Sequence, residues 1–424
     1  MIEIPYTAKA LTECIGFQDV IKNPHLQDRS RRADEATAAL AELRAGSVFN
    51  GSLREISLGS AKGYVFTTLA AKMVSRLISR NIKANYHIKQ SDRQTIISNV
   101  LSFFKEGTPY AVYRFDLVSF YESIDRKVLF DRLMADSKCS WRTLVLLDQL
   151  FAVIDICGVA GLPRGLGVSA TLSEFYLSSF DQAIKSDVDV FYYARFVDDI
   201  IVITSGRESK NDFEKKLLEF LPAGLDFHKV GDKRSYHTIP KAKEPHLGLE
   251  QKKFQIKYLG YQMKIFECCS EEAVLGSLRR KVVCDISQDK VLRIKKKFIA
   301  AISSFLSSAQ LPPDYLLLKN RVRALTGNYN INDPMSGIEI KTGIYFNYIQ
   351  KNYIGHCSLD ELDVFMRGVL FSSKHQLSRR IASALTLQQR KLLAGYSFKT
   401  GFKKIRFHSF KYETLRKIKE CWRK

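Results

Sequence analysis

The chain has 424 residues, with 66 Lys plus Arg against 44 Asp plus Glu and a formal net charge of +22. With 46% hydrophobic and 11% aromatic residues it can bury several cores, which excludes a disordered acidic chain, and the excess of cations calls for a polyanionic partner. Its eight cysteines form no Cys-x-x-Cys unit, only the adjacent Cys268-Cys269, so neither a disulfide framework nor a zinc site is expected.

In chain order, the first periodic segments are helical, over residues 33–44 and 65–79. Residues 110–117 form a β-prone run that ends in an acid, Asp116. A helix is then predicted from Asp125 to Met134, with Ile124, Val128, Leu129 and Leu133 at helical spacing. Next come a loop with glycines at 161, 165 and 167, which let backbone approach a ligand, and a helix over 171–184. Residues 192–203 set Asp198 and Asp199 between aromatic residues and the run Ile200 to Ile203. Asp is disfavoured in a strand and costly to bury unless paired or bound to a metal. Two strands joined by a tight turn with Asp-Asp at its tip reconcile these preferences; such a pair is also an ordinary hairpin turn. If Asp116 joins the pair on a neighbouring strand, three carboxylates repel one another and require cations. Magnesium fits, since it takes one or two carboxylates plus substrate phosphates. Two such ions roughly 3.5–4 Å apart stabilise both oxygens of an in-line phosphoryl displacement.

Asp116 with Phe120-Tyr121, then Gly161-Leu-Pro-Arg-Gly165, then Phe196-Val-Asp-Asp199, resemble motifs A, B and C of reverse transcriptases, in that order. The likeness extends downstream: residues 224–233 resemble the lysine-bearing motif D, and residues 254–261 the primer-grip hairpin. Upstream, residues 87–97 resemble the fingers segment, in which Lys89 and Arg93 would contact nucleic acid. Within the family the chain looks most like the bacterial antiphage group, the defence-associated and abortive-infection reverse transcriptases, and most narrowly class 3. Residues 120–124, 321–329 and 342–348 carry that impression.

The resemblance implies an α+β right-hand polymerase with fingers, a palm with an antiparallel sheet, a thumb and a basic helical C-terminal region. Asp116, Asp198 and Asp199 would be catalytic metal-binding acids for two Mg2+ ions, with Mn2+ as a substitute. Tyr121 would be the ring that rejects a ribose 2′-hydroxyl. Lys233 would assist the leaving pyrophosphate, with Lys229 competing for that place. Arg164, Gly165 and Phe196 would contact the nucleotide, and Leu259 and Gly260 the primer. Three positions depart from the family pattern: Arg164 stands where Gln is usual, Ala170 where Pro is usual, and Phe196 where Tyr is commoner. Arg can hold phosphate in a forked geometry that Gln cannot.

Toward the C-terminus Arg279, Arg280, Lys295, Lys296, Lys297, Arg379, Arg380, Lys403, Lys404, Arg423 and Lys424 interleave with aromatic residues, as in 402–407 and 410–412. Cations for phosphates and rings for bases suit RNA, although charged helix faces often only solvate. The expected division is 1–107 for an N-terminal helical region and fingers, 108–265 for the palm, 266–358 for a thumb-like helical region opening near Glu271 and interrupted by Pro312-Pro313 and a turn-rich 328–337, and 359–424 for a basic helical extension. No apolar stretch long enough to span a bilayer and no signal-peptide pattern occurs, so a soluble cytoplasmic protein without membrane attachment is expected. The function expected is RNA-directed DNA synthesis from dNTPs on a dedicated structured non-coding RNA in antiphage defence, with a DNA product and a homo-oligomer or companion reverse transcriptase subunit. A retron or group II intron-type enzyme and a catalytically silent RNA-binding scaffold are the rivals.

Overall fold

The computed structural model describes residues 2–58, 61–89, 92–231, 233–243, 253–269, 279–333, 338–348 and 357–422. It is a mixed α+β chain in two compact units, one formed by residues 1–103 and 108–241, the other by 104–107 and 242–424. Among the described residues no helix is long and apolar enough to cross a membrane.

The first unit runs α1 (Ala8–Thr12), α2 (Phe17–Lys22), α3 (Arg29–Arg44), β1 (Leu53–Leu58), β2 (Ala61–Phe66), α4 (Leu69–Asn85), α5 (Arg93–Phe104), β3 (Tyr110–Asp116), α6 (Arg126–Ala135), α7 (Trp141–Ile156), α8 (Gly167–Lys185), β4 (Val190–Phe196), β5 (Asp199–Thr204), α9 (Lys210–Phe220) and β6 (Ser235–Ile239). Its main sheet has the antiparallel order β4-β5-β3-β6. The two central strands are buried along almost their whole length, from Tyr110 to Phe115 and from Ile200 to Thr204. Covered on both faces, they read as continuous apolar runs without alternation. The α6 helix starts where expected because Asp125 caps it, accepting from the Lys127 and Val128 amides at 2.8 and 3.1 Å. Leu129 and Leu133 are buried in it, whereas Val128 is 42% exposed.

Two sequence expectations change here. The helix expected over 65–79 begins only at Leu69, after the Thr68 cap, and runs on to Asn85. Val65 and Phe66 belong instead to β2, which pairs with β1 in a hairpin that the helical reading missed.

The second unit contains β7 (Lys253–Tyr258), β8 (Tyr261–Cys269), β9 (Arg280–Ile286), α10 (Gln288–Leu306), α11 (Pro312–Thr326), β10 (Asn328–Asp333), β11 (Ile338–Gly343), α12 (Ser358–Phe371), α13 (Gln376–Ala384), α14 (Leu387–Ala394), α15 (Phe398–Lys403) and α16 (Tyr412–Glu420). Strands β7, β8 and β9 form one antiparallel sheet, and β10 pairs with β11. The helices close over a core that includes Phe298, Ile302, Leu318, Leu359, Met366 and Phe398. The helical region is broken between Leu306 and Pro312, and Pro312-Pro313 opens α11 at positions whose amides have no intrahelical partner anyway. The turn-rich reading of 328–337 is corrected: Asn328 to Asp333 is a strand, and 334–337 lies outside the described residues. Glu271, Arg423 and Lys424 also lie outside them.

Candidate active site

Register brings the acids together. In the β3/β5 ladder Asp116 stands directly opposite Asp199. The β4/β5 hairpin pairs Phe196 with Asp199, which leaves Val197 and Asp198 as a two-residue turn. Val197 has φ 62, a left-handed conformation that is a genuine outlier for a β-branched residue. The Leu117 amide donates to the Asp198 carbonyl at 3.3 Å, tying this turn to the end of β3. Three sequence-predicted acids therefore converge at one end of the sheet.

Basic side chains already face them. Lys233 Nζ donates to Asp116 Oδ1 at 2.9 Å, and His228 Nε2 lies 3.2 Å from the same oxygen. His228 is held there because its amide donates to the Asp116 carbonyl at 2.9 Å. Lys229, the rival for this place, is exposed. Arg114 Nη2 donates to Asp199 Oδ1 at 3.1 Å. Burial raises the pKa of Asp198, and the neighbouring Asp116 and Asp199 charges raise it further. Burial likewise raises that of Asp199 against the pull of Arg114. The carboxylates are thus under the mutual repulsion expected of them, and oxygen donors of this kind suit a hard divalent cation. No group of three or more His, Cys, Asp or Glu side chains among the described residues could enclose an ion by itself.

The glycine loop is fitted to the Asp116 segment. Gly161 has φ +57, and a Cβ there would lie 2.2 Å from the Tyr121 carbonyl oxygen, so only glycine is accommodated. The Leu162 amide donates to that same oxygen at 2.7 Å. Gly165 has φ +97, and its Cβ would come 2.7 Å from the Tyr64 carbonyl, on β2. Arg164 makes a two-point ion pair with Glu122, Nη2 to Oε2 at 2.9 Å, and its guanidinium lies 5.9 Å from the Tyr121 ring centroid. Tyr121 is half-buried; burial raises its pKa, with Ser173 as hydroxyl partner and Glu174, Asp198 and Arg164 nearby.

One supporting residue was missed. Arg195 is only 8% exposed. It reaches Asp181 at 2.7 and 2.9 Å and Glu174 at 2.8 and 3.2 Å, and donates to the Val197 carbonyl at 2.9 Å. Burial works against its charge, but Asp181 and Glu174 outweigh it and raise its pKa. It fastens the strained turn that carries Asp198. Its partners lie on α8, so local sequence held no signal for it.

Beside the β1/β2 hairpin is a hollow of about 890 Å³ lined by Lys22, Arg54, Lys72, Arg76, Arg80 and Lys83. Asp19 is the one carboxylate among its lining residues, and Arg76 is paired with it. Burial and the surrounding cations lower the pKa of Lys72 despite Asp19.

In the second unit Leu259 (φ 47) and Gly260 (φ 80) form the tight turn between β7 and β8. The expected nucleic-acid contacts separate by environment. Lys89, Arg279, Lys296, Lys403 and Lys404 are exposed, and Arg93 is half-buried. Arg280 is not a surface cation: it is 1% exposed and donates to the carbonyls of Glu106 and Gly107 at 2.8 and 3.2 Å. Lys295 is engaged by Glu361 at 2.6 Å, and Lys297 lies over the Trp422 ring. These three are spent on packing their own unit.

The family model described as reverse transcriptase (RNA-dependent DNA polymerase) matches residues 46–263. No curated protein sequence matches the chain. Among solved structures, telomerase from Candida albicans in complex with a fragment of telomeric RNA is similar at a TM-score of 0.31 and 11% identity, over 87% of this chain and 58% of that one. The family match covers just over half of the chain and spans the converging acids, the glycine loop, Lys233 and the β7/β8 turn: the protein belongs to the reverse transcriptase family.

Proposed function

We propose that the chain is a magnesium-dependent RNA-directed DNA polymerase, with the β4-β5-β3-β6 sheet as its palm. The observation that carries this reading is Asp116 opposite Asp199, with Asp198 on the adjoining turn. Asp116 and Asp198 would hold two magnesium ions, with Asp199 beside them; the ions would supply Lewis-acid activation of the primer hydroxyl and neutralise the phosphates. The protein's own part is positioning and fixed charge. Arg195 keeps the Asp198 turn in place, Tyr121 presents its ring beneath the sugar, and Lys233 gives charge and a proton to the departing pyrophosphate. The basic hollow takes the phosphates of the RNA template. The assay is incorporation of labelled deoxynucleotides by the purified chain and its accompanying nucleic acid, with magnesium, beside an Asp198→Asn variant. Incorporation lost in the variant is expected; equal incorporation by both overturns the reading.

The biological role we propose is bacterial antiphage defence with a dedicated non-coding RNA as template, on the likeness of residues 120–124, 321–329 and 342–348 to that group. Cells expressing the chain from its own locus should resist phage, and cells carrying Asp198→Asn should not; equal plating of phage on both would remove this role.

A further inference from the structure

The second unit carries an aromatic and basic face remote in sequence from the catalytic acids. Tyr345 and Phe346 follow β11, and Phe402 and Phe407 flank the end of α15. Ring centroids are 5.2 Å apart for Tyr345–Phe346, 5.3 Å for Tyr345–Phe402 and 5.5 Å for Phe346–Phe407. Four touching rings would ordinarily close into a core, yet Tyr345 is 38% exposed, Phe407 41% and Ile405 between them in the chain 39%. Lys341 Nζ lies 6.0 Å from the Phe346 centroid, and Lys403 and Lys404 are exposed. From 398 to 411 the chain has five Lys or Arg and no acid; Lys399 is taken by Asp360 at 2.6 Å, while Lys403 and Lys404 directly follow Phe402 in the chain.

Asn328 ties the two segments of the face together. The Asn328 amide donates to the Arg406 carbonyl and the His408 amide to the Asn328 carbonyl, each at 2.7 Å, while Asn328 Oδ1 accepts from the Tyr345 amide at 2.9 Å. Ile405 is kept at φ 46, a costly conformation for a β-branched residue that survives only where its surroundings over-determine it.

We propose that this face is a stacking platform for single-stranded RNA, with Tyr345 and Phe407 taking bases and Lys341, Lys403 and Lys404 taking phosphates. Exposed aromatic faces interleaved with cations and free of acids are the chemistry that binds unpaired strands with little sequence preference. The choice of RNA rests on the reading of the chain as an RNA-directed polymerase, since its DNA product leaves synthesis paired to the template while RNA yet to be copied is single-stranded.

The test is fluorescence anisotropy of the full chain with a labelled oligo-uridylate roughly 12 nucleotides long, read across salt concentrations, with crosslinking of the same oligomer carrying 5-iodouridine to map the contact. Tyr345→Ala with Phe407→Ala should weaken binding about tenfold or more and leave the salt slope unchanged, because stacking releases no counterions. Lys403→Gln with Lys404→Gln should instead flatten the slope by about 1.4, at roughly 0.7 per phosphate. Tyr345→Phe with Phe407→Tyr, which keeps both rings, should retain wild-type affinity and serves as the folding control. Unchanged affinity in the alanine variant, or crosslinks outside 341–348 and 402–407, overturns the proposal. Binding needs no catalysis, so Asp198→Asn should bind normally; a failed incorporation assay and a failed platform are read separately.

Discussion

At the scale of single residues the acidic cluster is a source of instability in the unliganded chain. Burial and like charge raise the pKa of Asp198 and Asp199. A carboxyl whose pKa is higher folded than unfolded contributes stability below its unfolded value and loses it as pH rises through the raised one. At neutral pH the ionised pair therefore works against folding, and Asp198→Asn removes part of that repulsion. The expected outcome is a midpoint of thermal unfolding a few degrees above wild type, together with at least a thousandfold loss of incorporation. Magnesium should raise the wild-type midpoint and leave the variant's almost unmoved. A variant less stable than wild type in magnesium-free buffer would contradict this account. Arg164 makes a second case: its fork is closed on Glu122 and sits over Tyr121, so it acts first on the ring. If Tyr121 reads the sugar as proposed, Glu122→Gln should loosen its ring and lower a preference for deoxynucleotides over ribonucleotides by about tenfold, and the exchanged pair Glu122→Arg with Arg164→Glu should recover part of it. The measurement is the ratio of kcat/KM for the two sugars.

At the scale of elements, legibility followed the range of the interaction. The strands bearing Asp116 and Asp199, the α6 helix and its Asp125 cap could be read because each depends on neighbours in sequence. Residues 328–333, rich in Asn and Asp, read as a turn because those residues favour local backbone bonds. They form a strand because β11 pairs with them and the segment from Arg406 to His408 bonds the other side of Asn328. Arg195 was invisible for the same reason, since Glu174 and Asp181 that hold it come from another element. The junction at Asn328 also has a pH dependence. Burial, then the Arg323 and Arg406 charges, lower the His408 pKa from 6.5 to about 4. The unfolded chain then takes up the proton first, so this contribution is whole above pH 6.5 and is lost as pH falls toward 4. His408→Gln, which keeps an acceptor for Arg323, should flatten the fall in unfolding midpoint over that interval by a few degrees, measured by circular dichroism. An identical fall in both proteins would assign the acid sensitivity elsewhere.

At the scale of the whole molecule the net charge of +22 is not evenly available for binding. Arg280, Lys295 and Arg195 are consumed by carbonyls and carboxylates of their own units. The hollow beside β1 and β2 gathers six cations around one acid, Asp19, which Arg76 already pairs. Composition announced a polyanion partner; which cations would meet it depends on burial, which sequence does not display. If the hollow takes template phosphates, Arg54, Lys72 and Arg80 each release about 0.7 of a counterion on binding single-stranded RNA. Replacing all three with Gln should weaken binding by a similar factor for unrelated sequences and reduce the slope of log affinity against log salt by about 2. A loss confined to one sequence would mean base reading instead of backbone neutralisation. An unchanged slope would mean that these side chains meet no phosphate.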